Sequence, residues 1–328
     1  MTAATPLRFE PVDPPAAPLA PQECWRAVRQ GQGRAQLGLW WRDTPPLQGE
    51  RIGAIGALEV SDPVEAVALL RHGCERLAAQ GCTRVLAPMD GSTWAPYRCR
   101  LEAPLGFAGE PVPGRRWHRI LVAAGFHEQT RYLSSLCSDL SLRRVAPWAR
   151  RRLAGVSLLG GAALDAEALG PRLHGLVGRA FAAQPWFRPL PAADFARVLR
   201  ARLGADPEPL QWVAFAAGDP VGLLLGHRCA DQLVVRTLAV LPERRFAGVG
   251  ALLLEEAHGA AQAAGCRTAI HALMLAGGPS DALSRHYAQP AARYALMARP
   301  LAPPGAPWRP LRPASWADGP FARSPCGS

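Results

Sequence analysis

The sequence predicts an α/β protein built in two successive halves, each a sheet flanked by helices. Three observations predict it. Short apolar runs rich in valine, leucine and isoleucine alternate with longer segments of helical periodicity. Glycine, proline and aspartate punctuate the boundaries between them. An order of strands, helix and strand occurs in the first half and again in the second.

The elements of the first half follow in turn. Residues 1–22 are rich in proline and alanine and are expected to be disordered. Ala35–Trp41 reads as a strand that Pro45, Pro46 and Gly49 break, and Ile52–Val60 reads as a second. Ser61 or Asp62 then caps a helix with Pro63 at its first position. That helix carries Val64, Val67, Ala68, Leu70, Leu77 and Ala78 at helical spacing and stops at Gly81. Thr83–Leu86 is a short buried strand, and a polar loop, Pro88–Trp94 with Tyr97 and Arg98, follows it. Loops after parallel strands often line sites, so this one is a candidate either to close over a substrate or to brace the two halves. Arg116–Ala124 is helical, and residues 131–140 form a strand.

The second half starts after a joining segment, 143–160. Asp165 opens a helix running to about 183, and another covers about 192–203. Strands Leu210–Phe215, Val221–His227 and Leu233–Val240 follow, the first two joined by the turn Ala217–Pro220. A helix runs from Gly250 to Ala264 with Gly265 after it, then a buried strand, Arg267–Leu273. A short helix from Ser280 to Tyr287 and a strand from Tyr294 to Ala298 end the ordered part. The division reads as 23–142 and 161–300, with a proline-rich disordered tail at 301–328.

Composition narrows the function. The 328 residues, 49% hydrophobic, can bury a sizeable core. The net charge of +11 raises the prospect of nucleic acid, but all 37 basic residues are arginine and they are scattered. The densest group, Arg150–Arg152 with Arg143 and Arg144 nearby, falls in the joining segment and reads as a solvated linker face. No nucleic-acid partner is therefore expected. No apolar run reaches membrane-spanning length, so no membrane partner is expected either. The eight cysteines form no Cys-x-x-Cys pair and sit mostly in apolar runs, which points to a reducing cytoplasm and no metal site.

The most informative stretch is Arg245-Phe246-Ala247-Gly248-Val249-Gly250, between the strand Leu233–Val240 and the helix that starts Ala251-Leu252-Leu253. Such a turn exposes backbone N–H groups at a helix N-terminus, where the dipole favours an anion. Gly248 and Gly250 let a phosphate approach the main chain. Gly248→Glu is expected to abolish such binding and leave the fold largely intact.

The run Leu238-Ala239-Val240-x-Pro242-Glu243-x-Arg245-x-x-Gly248-x-Gly250 resembles the GNAT (GCN5-related N-acetyltransferase) superfamily. The resemblance covers about 160–300 and implies two tandem GNAT-like domains, each a mixed, mainly antiparallel twisted sheet flanked by helices. It implies acetyl-CoA or another acyl-CoA, its pyrophosphate held at Arg245, Phe246, Ala247, Gly248, Val249, Gly250 and Ala251. Its pantetheine arm would lie along the backbone of Leu238, Ala239 and Val240 as an added strand does. The first half reads as a degenerate copy, because the matching turn is Glu59-Val60-Ser61-Asp62-Pro63-Val64, without glycines and with carboxylates that repel phosphate.

The implied reaction is N-acyl transfer to an amine, on a small molecule or a protein, by direct attack on the thioester. Tyr287 is the candidate acid for the leaving thiolate, with Tyr294 its competitor. His271 and Glu243 are the candidate bases, and Arg236 and Thr237 face the same region. A catalytically silent acyl-CoA sensor is the alternative, since no base stands out.

Overall fold

The computed structural model describes residues 6–16, 19–102, 107, 110, 115–161, 164–204 and 210–301. The expected tail at 302–328 lies outside the described residues. In the first half, β1 (Arg8–Val12), β2 (Glu23–Arg29), β3 (Gln32–Trp40) and β4 (Ile52–Val60) form an antiparallel meander. Helix α1 (Pro63–Ala79) carries the chain over the sheet to β5 (Arg84–Ala87), which lies parallel to β4. Strand β6 (Cys99–Glu102), helix α2 (Arg115–Ala123) and strand β7 (His127–Cys137) follow. The second half contains α3 (Pro147–Arg152), β8 (Val156–Gly160), α4 (Ala166–Phe181), α5 (Ala192–Gly204), β9 (Gln211–Ala216), β10 (Asp219–Cys229) and β11 (Gln232–Val240). It continues through α6 (Val249–Ala263), β12 (Thr268–Leu275), α7 (Pro279–Ser284) and β13 (Gln289–Pro300).

Several elements differ from the sequence expectation, which did not include β2, β6, α3 or β8. Arg8–Val12, placed in a disordered segment, pairs with β2 as an edge strand. The joining segment holds a helix, α3, and a second edge strand, β8 on β9. β13 begins at Gln289 rather than Tyr294. Short polar or proline-flanked stretches have little periodicity of their own, and the neighbouring strand decides their state.

All strands join one sheet in the order β1-β2-β3-β4-β5-β13-β7-β12-β11-β10-β9-β8, with β6 alongside β13. The two halves therefore exchange their closing strands. Each half has one parallel pair, β4 with β5 and β11 with β12. The open side of β5 is covered by β13 from the end of the chain, and the open side of β12 by β7 from the first half. β7 and β13 then pair antiparallel along their length at the centre. Ala295 and Met297 of β13 lie in the core of the first half, under α1 and α2, and Cys137 of β7 lies in that of the second.

The first half has the same strand–helix–strand device as the second, but its gap is filled. β4 and β5 pair only over Ile52–Ala54 and Arg84–Leu86 before they part. The chain itself then enters the opening: Met89 N–H donates to the Ile55 carbonyl at 2.8 Å, and the Asp90 carboxylate accepts from Ala57 N–H at 2.7 Å. Gly56 leaves room for this, since a Cβ there would stand 2.1 Å from Asp90 Oδ1 and 2.5 Å from the Met89 carbonyl oxygen. At the start of α1, the Asp62 carboxylate already accepts from Val64 and Glu65 N–H. Both the strand edge and the helix amides that a second ligand would need are thus occupied by protein groups.

Candidate functional site

In the second half the corresponding gap is open. β11 pairs with β12 over Gln232–Val235 and Thr268–His271 and no further. Two irregularities part the strands at that level. Arg236 is an extra residue on β11 opposite β10, and β12 loses its register with β7 between His271 and Met274. There Leu273 takes a left-handed backbone (φ 59°), a costly conformation for a branched residue. It is held by Ser134 Oγ, which accepts from its N–H at 3.0 Å, and by Arg98, which donates to its carbonyl at 2.6 Å. β11 remains paired with β10 through Val240, so Leu238, Ala239 and Val240 keep their other edge toward the gap.

The glycine turn stands at the end of β11. Residues 244–246 make a single 3-10 turn, Gly248 caps α6 in a left-handed conformation (φ 102°), and α6 starts at Val249. Ala251 and Leu252 N–H both turn back to the Gly248 carbonyl. Those of Gly248, Val249 and Gly250 have no carbonyl behind them in the helix. Phe246 and Val249 are buried and anchor the turn, while Arg245 is exposed and lies across the Phe246 ring at 4.7 Å. A Cβ on Gly250 would face Leu283, Val240 and Leu238 at 3.5–3.7 Å, which is the gap side. The arginine run read as a solvated linker face packs here instead. Arg152 donates to the Ala247 carbonyl, beside Gly248, and Arg150 pairs with the buried Glu255 of α6. Its proximity in space has no trace in its spacing.

Below the gap lies a cavity of about 270 Å³. One wall is the second half's own: Val235–Leu238, His271–Leu275 and the start of α7. The facing wall is Thr93–Arg98, the tip of the loop whose base fills the first half's gap, with Tyr132 of β7. That loop is fixed at both ends. Asp90 N–H donates to the Pro96 carbonyl, Trp94 Nε1 donates to the Arg188 carbonyl at 3.0 Å, and the Trp94 ring meets Phe187 and Phe195. The loop thus both closes over the cavity and braces the halves.

The candidate catalytic residues separate in space. His271 lines the cavity but is buried. Its Nδ1 meets Ser284 Oγ at 2.7 Å and its Nε2 meets Nε2 of the buried His258 at 3.1 Å. Burial and then the neighbouring ring hold the His271 pKa down to about 3; burial, with Arg143 next, brings His258 to about 4. Both rings are neutral at physiological pH. One must donate and the other accept across the shared contact, which two protonated rings cannot do. Tyr287 is absent from the cavity wall: its hydroxyl donates to Glu255 Oε1 at 2.9 Å, and burial with that bond raises its pKa. Glu243 pairs with Arg179 of α4. Tyr294 is buried in β13 against Ser134. Ser284 and His258, to which the sequence assigns no role, gather at or behind the cavity with Arg98, which the sequence marks only as part of the polar loop. A lone serine or histidine carries no pattern that marks it.

Residues 179–286 match the Acetyltransferase (GNAT) family. The match runs from α4 past α7 and so includes the gap, the turn and one wall of the cavity. A search of curated proteins finds no match. Among solved structures, a tandem GNAT protein from the clavulanic acid biosynthesis pathway is 16% identical over 91% of this chain and 99% of that one, with TM-score 0.56. A GCN5-related N-acetyltransferase from Sphaerobacter thermophilus is 15% identical over 86% of this chain and 82% of its own, with TM-score 0.55. The glucosamine N-acetyltransferase region of a fungal multi-domain GH3 β-N-acetylglucosaminidase is 14% identical over 91% of this chain and 38% of that longer chain, with TM-score 0.58. At these identities the likeness is one of fold, and it spans both halves. Among the described residues no helix is long and apolar enough to cross a membrane.

The histidine pair sets a pH dependence. A histidine whose pKa is lower in the folded state than its unfolded value of about 6.5 contributes fully above that pH. The contribution is lost as pH falls from there toward the folded values of about 3 and about 4. Each ring gives a slope of roughly 1.4 kcal/mol per pH unit in that window. Denaturant unfolding at pH 7, 6 and 5 should show stability falling by on the order of 2 kcal/mol between pH 6 and 5. A flat profile would show that the rings are not buried neutral.

Proposed function

We propose that the chain is an acyl-CoA-dependent N-acyltransferase, acetyl-CoA being the expected donor, with its site in the second half. The observation that carries this is the free edge of Leu238, Ala239 and Val240, opening beside unpaired helix amides at Gly248–Gly250. The residues fit the group. A pantetheine arm is a short amide chain and pairs with an open strand edge, and a pyrophosphate suits the N-terminal amides of a helix that has no acidic residue in its first turn. Arg245, Phe246, Ala247, Gly248, Val249, Gly250 and Ala251 form that cradle, and Arg152 adds a second cation beside it. The two units are taken as 23–142 and 161–300, the first supplying a wall of the acceptor site.

Bound acyl-CoA supplies an activated thioester carbonyl. A neutral amine nitrogen adds to that carbonyl carbon, the carbon–sulfur bond breaks, and the proton lost from nitrogen ends on sulfur. The chain's own residues hold the reactants together, which supplies much of the rate. Ser284 is a hydroxyl on the cavity wall that is backed by neutral His271 and His258, and it takes the proton-donating place first given to Tyr287. His271 then acts as a hydrogen-bond partner to Ser284, and Glu243 as a partner to Arg179.

The commitment of Tyr287 to Glu255 favours one second reading, a chain that binds acyl-CoA without turnover. Calorimetric titration with acetyl-CoA, followed by thiol release with a panel of amines, separates them. The transferase reading expects one site per chain and release with at least one amine. Binding without release on any amine supports the sensor, and no binding overturns both.

A further inference from the structure

We infer that the acceptor amine carries a carboxylate, received by Arg98, and an apolar side chain packed against the aromatic wall; this rests on the acyltransferase reading. Arg98 is 5% exposed and lines the cavity. Its guanidinium lies 3.6 Å from the Tyr97 ring centroid and 4.2 Å from that of Tyr132, over the faces of two rings set at right angles to each other. One η nitrogen donates to the Leu273 carbonyl. Nε is buried with no hydrogen-bond partner, and among the described residues no carboxylate pairs with this cation. Aromatic faces and one carbonyl offset only part of the cost of burying a full charge, and an anion in the cavity completes the neutralisation.

The rest of the wall agrees. Among the described residues it contains two arginines, Arg98 and Arg236, and no aspartate or glutamate. A polycationic acceptor would meet repulsion here and no counter-charge. Trp94, Phe181 and Phe187 present an apolar surface on the same cavity. An α-amino acid with an apolar or aromatic side chain combines the three features the wall asks for: a planar carboxylate for the guanidinium, a hydrophobic group for the rings, and the amine that reacts.

The experiment compares L-phenylalanine with phenethylamine, which lacks only the carboxylate, as acceptors with acetyl-CoA. The expected result is a preference for phenylalanine of about 10–100-fold in kcat/KM, the range for a hydrogen bond to a charged group. Arg98→Met should erase the preference and Arg98→Lys restore part of it. Equal or faster reaction of phenethylamine overturns the inference, as does reaction of neither when other amines release the thiol. A third arm pairs phenethylamine with succinyl-CoA: recovery of rate there would put the carboxylate on the acyl group and overturn the acceptor assignment. A readout free of turnover keeps the two questions apart. Calorimetry of the wild-type chain with N-acetylphenylalanine and with N-acetylphenethylamine tests the arginine even if acetyl-CoA fails to bind. Tighter binding of the carboxylate ligand supports the inference, and equal binding overturns it.

Discussion

Replacing Glu255 by alanine is expected to cost about 3–5 kcal/mol of folding stability, the scale of leaving several donors around a buried carboxylate without their acceptor. Glu255 sits on α6 with 3% of its surface exposed. Its carboxylate accepts from Arg144 N–H, from Val145 N–H at 2.9 Å, from the Tyr287 hydroxyl at 2.9 Å, and from the Arg150 guanidinium. Truncation would leave two backbone donors and a hydroxyl without their acceptor, each at its own desolvation cost, while the exposed Arg150 returns to water. Tyr287→Phe removes a single donor and should cost only about 1 kcal/mol. Denaturant midpoints of the two variants check the ranking. If Glu255→Ala were as mild as Tyr287→Phe, the carboxylate would not be the hub that fastens 144–150 to α6.

Gly250→Glu should weaken acetyl-CoA binding by more than about 100-fold, the scale set by losing charge-assisted bonds and adding repulsion at the cradle. The fold should survive. Gly250 is helical, its Cβ would meet only ordinary contacts at 3.5–3.7 Å, and glutamate is the better helix former. Gly248→Glu, the substitution the motif first suggests, is the poorer test. Its φ of 102° strains any side chain, and a Cβ would stand 3.2 Å from Leu153, so lost stability and lost binding would be mixed. Calorimetry with acetyl-CoA and a thermal melt of Gly250→Glu should show the first changed and the second preserved. Undiminished binding would move the pyrophosphate away from this turn.

What the sequence disclosed follows from the range of the physics involved. The helix carrying Asp62 and Pro63, the strand Leu233–Val240 and the glycine turn are set by neighbours within a few residues, and the structure places them close to the expected bounds. The long-range pairings were not legible. Nothing in Tyr294–Ala298 says that it lies between β5 and β7, because any alternating apolar strand satisfies the same local pattern. The cavity repeats this contrast. His271 was singled out for its chemistry, but its neutral state comes from burial and then from His258, thirteen residues away and on another element. Arg98 is marked in the sequence only as part of a polar loop, since its particular meaning depends on Leu273 and two tyrosine rings brought in by the fold.

The placement of Gln289–Pro300 dictates when the molecule can be finished. As the chain leaves the ribosome, the N-terminal units reach their full complement of residues long before that segment exists. Until it is made, β5 keeps a bare edge and the space under α1 and α2 lacks Ala295 and Met297. Such an edge is an adhesive surface for other nascent chains. Synthesis in this protein therefore runs on past β12 with an early unit held incomplete, and a strand made only after the second gap is the one that seals the first half.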